Sequence, residues 1–179
     1  MAIRITYYVH GTTIDNELDL ATGWNPGQLS LLGMQQSRDL SKKIKQRFDA
    51  VFCSDLQRAV DSAKLIFPKE NIIQDQRLRE ANYGEFNGKP AKLFKHKLRE
   101  YIDVPFPFGE SYEDVEARIK EFLAFLKKKY DQKHIALVAH QAPQLALDVL
   151  LKKKTWQQAI AEDWRITKDW KPGWEDSLQ

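Results

Sequence analysis

The chain has 179 residues, 42% of them hydrophobic and 30% charged, with a net charge of +3. That balance suits one globular domain with a sizeable core, and the charge is too small to indicate a nucleic-acid partner. A single cysteine, Cys53, excludes an internal disulfide and a cysteine metal cluster.

The first element is Ile3–Val9, a β-rich run that ends in His10-Gly11. A strand that stops on a histidine places an imidazole at the carboxyl end of a sheet, where open α/β sheets bind ligands. The polar segment Thr12 to Gln28 reads as a long loop of the kind that is often functional. Ser30 caps a helix running to about Lys45, with Leu40 and Ile44 turned inward. Ala50–Cys53 is a short buried strand, which makes Cys53 a buried thiol. Ser54 or Asp55 caps a helix over Leu56–Ile66, which Pro68 stops. Ile72–Gln74 is a third strand. Gln76 to Pro90 reads as a second long loop, and Ala91–Glu100 as a charged helical segment.

After the turn Val104–Gly109, Ser111 and Asp114 form a capping box for a helix to about Lys129. Ile135–Ala139 is a fourth strand, and it too ends on a histidine, His140. A helix over Pro143–Leu151 follows, with proline at its start. Thr155 caps a last helix to about Trp170, ended by Pro172-Gly173. Four of the five tryptophans lie in this tail, 155–179, where packing onto the domain is expected. Contact between copies, or the roof of a pocket, is the second reading for them. The basic triplets at 127–129 and 152–154 suit helix C-termini. Strands alternating with helices indicate an α/β domain with a largely parallel sheet, 1–179 forming one domain. No stretch approaches the ~18 apolar residues of a membrane span. The start MAIRITYYVHG lacks the apolar region of a signal peptide, so a cytoplasmic protein without a membrane partner is expected.

Two strand-end imidazoles, His10 and His140, can meet if their strands are neighbours. Arg58 sits on the first turn of the helix after the second strand. Two imidazoles, a guanidinium and the amides of helix starts suit a small anion, above all phosphate. A carboxylate there would protonate a leaving group, and Glu80 is the candidate. The competing readings are ordinary ion pairs, Arg58 with Asp55 or Asp61 and Glu80 with Arg77 or Arg79. Glu110-Ser111 reads as a turn and a helix cap. His96 and His134 read as surface residues without ligand spacing.

These residues stand in a familiar order. Val9-His10-Gly11-Thr12-Thr13 is followed by Asn16, by Thr22-Gly23-Trp24, and by Ser54-Asp55-Leu56-Gln57-Arg58-Ala59. Leu78, Glu80, Gly84 and Gly88 come next, then Gly109-Glu110-Ser111 and Val138-Ala139-His140. In this the chain resembles the histidine phosphatase superfamily, the phosphoglycerate-mutase-like group. The resemblance implies a three-layer α/β sandwich, a mostly parallel sheet with helices on both faces. It implies His10 as the nucleophile that becomes phosphohistidine, and Arg58 and His140 as holders of the equatorial oxygens. Glu80 would be the proton donor. Gly11, Asn16, Thr22, Gly23 and Gln141 would line the phosphate site. No metal or other cofactor is implied; the partner is a small phosphorylated substrate or free phosphate.

Two departures stand out: the arginine that the family carries before the nucleophile is Val9 here, and His140 continues as Gln141-Ala142-Pro143 rather than Gly-Gly. The expected activity is phosphomonoester hydrolysis, slowed by Val9. The alternatives are a non-catalytic binder of a phosphorylated ligand or partner, and a mutase, which Thr22-Gly23-Trp24 favours.

Overall fold

The computed structural model describes residues 2–179. In chain order the elements are β1 (Ile3–Val9), α1 (Ile14–Glu17), β2 (Leu20–Ala21), α2 (Leu31–Lys43), β3 (Ala50–Cys53), α3 (Gln57–Ile66), β4 (Ile72–Gln74) and β5 (Lys89–Pro90). Then come α4 (Tyr112–Lys129), β6 (His134–Ala139), α5 (Gln141–Lys152), α6 (Trp156–Ala161), α7 (Trp164–Thr167) and β7 (Trp174–Leu178). One sheet has the order β4-β3-β6-β1-β7. Its first four strands are parallel, and β7 is antiparallel to β1. β2 and β5 form a separate two-stranded ribbon.

The period of two along each strand sorts its side chains to opposite faces. Ile3, Ile5 and Tyr7 of β1 join Ile135, Leu137 and Ala139 of β6 in a core with Val115, Ile119 and Phe122 of α4 and Leu145 of α5. Tyr8, Val51, Cys53, Ala136 and Val138 face the other way, onto Val60, Ala63 and Ile66 of α3 with Leu40 and Ile44 beside them. The sheet is therefore covered on both faces, which is why its strands are apolar almost throughout. Burying each large aliphatic side chain contributes about 1.5–3 kcal/mol.

Several expectations need correction. The long loop after β1 contains α1, closed by a reciprocal capping box between Thr13 and Asn16, and the short β2. Leu56, not Ser54 or Asp55, occupies the cap position of α3. Ser54 instead accepts the Leu56 N–H at 3.2 Å, and Asp55 is drawn off by Arg79 at 2.6 Å. The charged helical segment after β5 is present and takes the form of two 3₁₀ stretches, Ala91–Leu93 and Lys95–Tyr101. α5 begins two residues earlier than expected, at Gln141, directly after His140.

His134 is not a surface residue: it lies within β6, 6% exposed, its Nε2 2.8 Å from Thr6 Oγ1 and its ring against Phe48.

The tail differs most. Its single expected helix is broken after α6, because Asp163 caps a new turn through the Arg165 N–H at 3.0 Å and Lys168 turns left-handed at φ 61°. The chain then returns as β7 along the open edge of β1, covering backbone groups that would otherwise stand unpaired. The alternation of that strand is masked in the sequence. Its inward Asp176 meets Lys152 of α5 at 3.1 Å, between Trp174 and Leu178.

Candidate active site

The site follows from the register of two strands. β1 and β6 are parallel neighbours, and Val9 pairs with Ala139. The next residue on each, His10 and His140, therefore emerges side by side on the same face. Their ring centroids are 5.0 Å apart. The His10 N–H continues the ladder to the Ala139 carbonyl at 3.1 Å. Tyr7, inward on β1, clamps the other histidine: its hydroxyl donates to the His140 carbonyl at 2.7 Å and accepts the His140 N–H at 3.0 Å.

Each imidazole has a defined state. His10 Nδ1 lies 2.8 Å from the Gly11 carbonyl. A carbonyl only accepts, so Nδ1 carries the proton and Nε2 keeps its lone pair. His140 is fully buried, and neither ring nitrogen has a hydrogen-bond partner among the described residues. Burial, and then the Arg58 charge, lower the His10 pKa to about 3. The same causes hold His140 well below the usual imidazole range. Burial thus favours the neutral form of both rings, with nitrogens available to a ligand.

Arg58, the second residue of α3, is 2% exposed. Its guanidinium makes no ion pair with Asp55 or Asp61. It donates instead to the carbonyls of Gly23 at 2.8 Å, Asn25 at 2.8 Å and Pro26 at 3.3 Å. Gly23, in the left-handed region at φ 54°, is thus part of the strap that holds Arg58. Thr22 beside it is buried. Gly11 allows a close approach of chain to chain, since a Cβ there would collide with the Gly33 backbone at the start of α2. The Gly11 N–H donates to Ser62 of α3 at 3.0 Å. The Asn16 side chain is turned to the Thr13 N–H at 3.0 Å.

Glu80 is 7% exposed and makes neither of the ion pairs weighed for it. Arg77 is engaged by Asp75 and Arg79 by Asp55. The Glu80 carboxylate accepts from the backbone N–H groups of Ala81 at 3.0 Å, Ala142 at 2.9 Å and Gln141 at 3.2 Å. It therefore sits on the N-terminus of α5, one residue beyond His140. Burial opposes its charge, but Lys95, these N–H groups and Arg58 together hold its pKa below the usual carboxylate range. Its backbone is braced as well, for the Glu80 carbonyl accepts from Trp24 Nε1 at 2.7 Å and from Arg118 at 3.0 Å. Arg118 is paired with Glu110 at 2.8 Å, so Glu110 does more than close a turn; Ser111 is the expected cap.

Sequence reading missed a second group of residues. Lys95 donates to the Tyr83 hydroxyl and to Gln141 Oε1, both at 2.9 Å. The Gln141 amide in turn donates to Asp163, and Asp163 holds Arg165 at 2.9 Å. The 3₁₀ segment, the start of α5 and the tail are thus joined by one chain of polar side chains. The available signal was weak, since lysine and arginine in polar segments ordinarily face solvent. His96 is exposed, and burial pushes the Cys53 thiol up to about 12. Among the described residues no three His, Cys, Asp or Glu are grouped to hold a metal ion, and no helix is long and apolar enough to cross a membrane.

Two imidazoles, a buried guanidinium and a carboxylate converge here from four separate segments. The sequence model of the histidine phosphatase superfamily (branch 1) matches residues 8–168. The chain belongs to this superfamily. As a histidine phosphatase superfamily member it is similar to the 2,3-bisphosphoglycerate-dependent phosphoglycerate mutase of Allorhizobium ampelinum, at 30% identity over 85% of this chain and 81% of that protein. Among solved structures it is similar to the mycobacterial glucosyl-3-phosphoglycerate phosphatase in complex with VO3, with TM-score 0.81 and 27% identity over 88% of this chain and 86% of that one. The phosphoglycerate mutase of Bacillus anthracis shares the fold, with TM-score 0.73 at 24% identity over 85% and 81% of the two chains. The superfamily's α/β fold, a mostly parallel sheet flanked by helices, is the one found here.

Proposed function

We propose that this chain hydrolyses phosphomonoesters through a phosphohistidine on His10. The observation that carries the reading is the pair of imidazoles 5.0 Å apart, one with its Nδ1 on the Gly11 carbonyl and its Nε2 turned free, flanked by a buried arginine and a carboxylate. His10 Nε2 attacks phosphorus and the ester P–O bond breaks. The departing oxygen takes a proton from Glu80. His10 Nδ1–H, held by the Gly11 carbonyl, steadies the positive charge that the ring acquires. Arg58 and His140 meet the charge that spreads over the equatorial oxygens. In the second half Glu80, now a carboxylate, takes a proton from water as the water oxygen attacks phosphorus. The P–N bond breaks, and phosphate and neutral His10 are regenerated.

Burial works against the charge of Glu80, but Lys95, backbone N–H groups and Arg58 favour its ionised form in the free site. A phosphate dianion bound beside it favours the protonated form by like-charge repulsion, so the proton donor is made as substrate arrives. A small phosphorylated substrate is the expected partner, and a mutase differs only in the acceptor, a second hydroxyl in place of water.

The test is a panel of phosphate esters assayed from pH 5 to 8 with wild type and His10→Ala. Release of inorganic phosphate that the substitution abolishes supports the reading. Ester binding without turnover would make the chain a binder of phosphorylated ligands, and transfer to a second hydroxyl would make it a mutase.

A further inference from the structure

Position 9 brings no charge to the anion site. Val9 is the last residue of β1, and its side chain turns to the face of α4 and α5, where it packs against the apolar core. The cations that remain near the two histidines are unequally available: Arg118 is committed to Glu110 and to the carbonyls of Arg77, Arg79 and Glu80. Arg58 has both terminal nitrogens committed to carbonyls, Nη1 to Asn25 and Pro26 and Nη2 to Gly23. Lys95 is divided between Tyr83 and Gln141.

Arg165 differs from both. It lies on the four-residue α7, over the ring of Trp164 at 4.4 Å. Its Nη1 donates to Asp163 at 2.9 Å and to Gln144 at 3.4 Å. Among the described residues its Nε and Nη2 make no hydrogen bond, which leaves a planar fork of donors of the kind that suits phosphate. Its anchors place it. Gln141, which holds Asp163, and Gln144, which holds Arg165, are three residues apart on the first turn of α5 and share one side of it. That turn begins at His140 and receives the Glu80 carboxylate. The unpartnered, fully buried ring of His140 marks the ligand position beside it. Burial and Arg58 are the larger influences on both imidazoles, yet the Arg165 charge reaches both as well.

We propose that Arg165, delivered by the C-terminal tail, is a catalytic residue that binds the transferring phosphoryl group and supplies the charge that Val9 does not. The proposal rests on the phosphoryl-transfer reading of the site. It gives the tail a function beyond packing, because α7 carries a cation of the site with uncommitted donors. It also makes a geometric demand: position 9 faces the side of the sheet that α5 covers, and Arg165 is anchored to the first turn of α5, so an arginine at position 9 should restore the charge that loss of Arg165 removes.

The experiment is a rescue. Arg165→Ala, Val9→Arg and the double variant are compared with wild type in ester hydrolysis and in titration with inorganic vanadate, with thermal unfolding as the check on folding. Arg165→Ala is expected to lower kcat/KM by ~10²-fold, as loss of one transition-state donor does, and to weaken vanadate binding at least ~10-fold. Adding Val9→Arg to it should recover at least ~10-fold of each. Arg165→Ala within threefold of wild type in both readouts overturns the proposal. So does a loss that the double variant fails to recover, since a residue that only braces Asp163 and Trp164 is not replaced from β1. If wild type hydrolyses no ester, the hydrolase reading fails by itself. The vanadate titrations of the same four proteins then decide for or against Arg165.

Discussion

Arg58 and Arg165 are both cations whose charge reaches the paired histidines, and they are anchored in contrasting ways. Arg58 is on the ten-residue α3, 2% exposed, and gripped by backbone carbonyls of the 23–26 strap. Arg165 is on a four-residue helix, its side chain 27% exposed, and gripped by the side chains of Asp163 and Gln144. The first wall of the site is thus part of the fold. The second is assembled from side chains that hold one another. Backbone carbonyls are present whatever the sequence, so that wall tolerates drift in its neighbours. A network of side chains changes with any one member, which makes the second wall the natural place for substrate preference to vary.

The contrast is broken most sharply at Arg58. Arg58→Ala should both lower kcat/KM by ~10³-fold or more, through lost phosphoryl contacts, and destabilise the fold by about 3 kcal/mol, because buried carbonyls lose their donors. Urea unfolding beside a hydrolysis assay checks both. A loss of activity with unchanged stability would mean that the strap holds without the guanidinium.

Glu80→Gln should matter less to stability and strongly to one kind of substrate. For alkyl esters, whose leaving oxygen needs a proton, kcat/KM should fall ~10²–10⁴-fold. For p-nitrophenyl phosphate, which leaves as a stable anion, the fall should be no more than ~10-fold. Equal losses on both would show that Glu80 only caps α5.

The smallest effect concerns pH and stability. His140 is held neutral in the fold, well below its unfolded value of 6.5. Between those two values the unfolded chain binds more protons, so stability rises with pH through this window. The contribution is complete above about pH 6.5 and is lost as pH falls. His10 acts in the same direction between 6.5 and about 3. His140→Asn should remove one of the two slopes in unfolding curves recorded from pH 7 to 4. An unchanged slope would mean that His140 is charged in the fold.

The same division governs what could be read from the sequence. His10 and His140 were legible because each ends an apolar run, and the parallel register of Val9 with Ala139 then leaves them nowhere to go but side by side. Arg58 was legible as a helix start within an intact Ser-Asp-Leu-x-Arg-Ala run. Its partners were not, since backbone carbonyls leave no trace in the sequence. Glu80 could be placed in the loop, but its bonds to the first turn of α5 depend on the topology. The tail was the least legible. Asp163 interrupts a helical pattern by capping, and Asp176 hides the alternation of β7 by pairing with Lys152. His134 was misread because Asp131, Lys133 and their neighbours look like a solvated turn, whereas the strand begins one residue earlier than its apolar run.

The central claim is that His10 carries the phosphoryl group. Rapid-quench mass spectrometry on wild type, mixed with an intact phosphate ester that it turns over and stopped within milliseconds under alkaline conditions, tests it directly. The account predicts one phosphate on the peptide containing His10, labile to acid and absent from His10→Ala. Phosphate on His140 or any other side chain, or turnover with no covalent intermediate at any quench time, would contradict it.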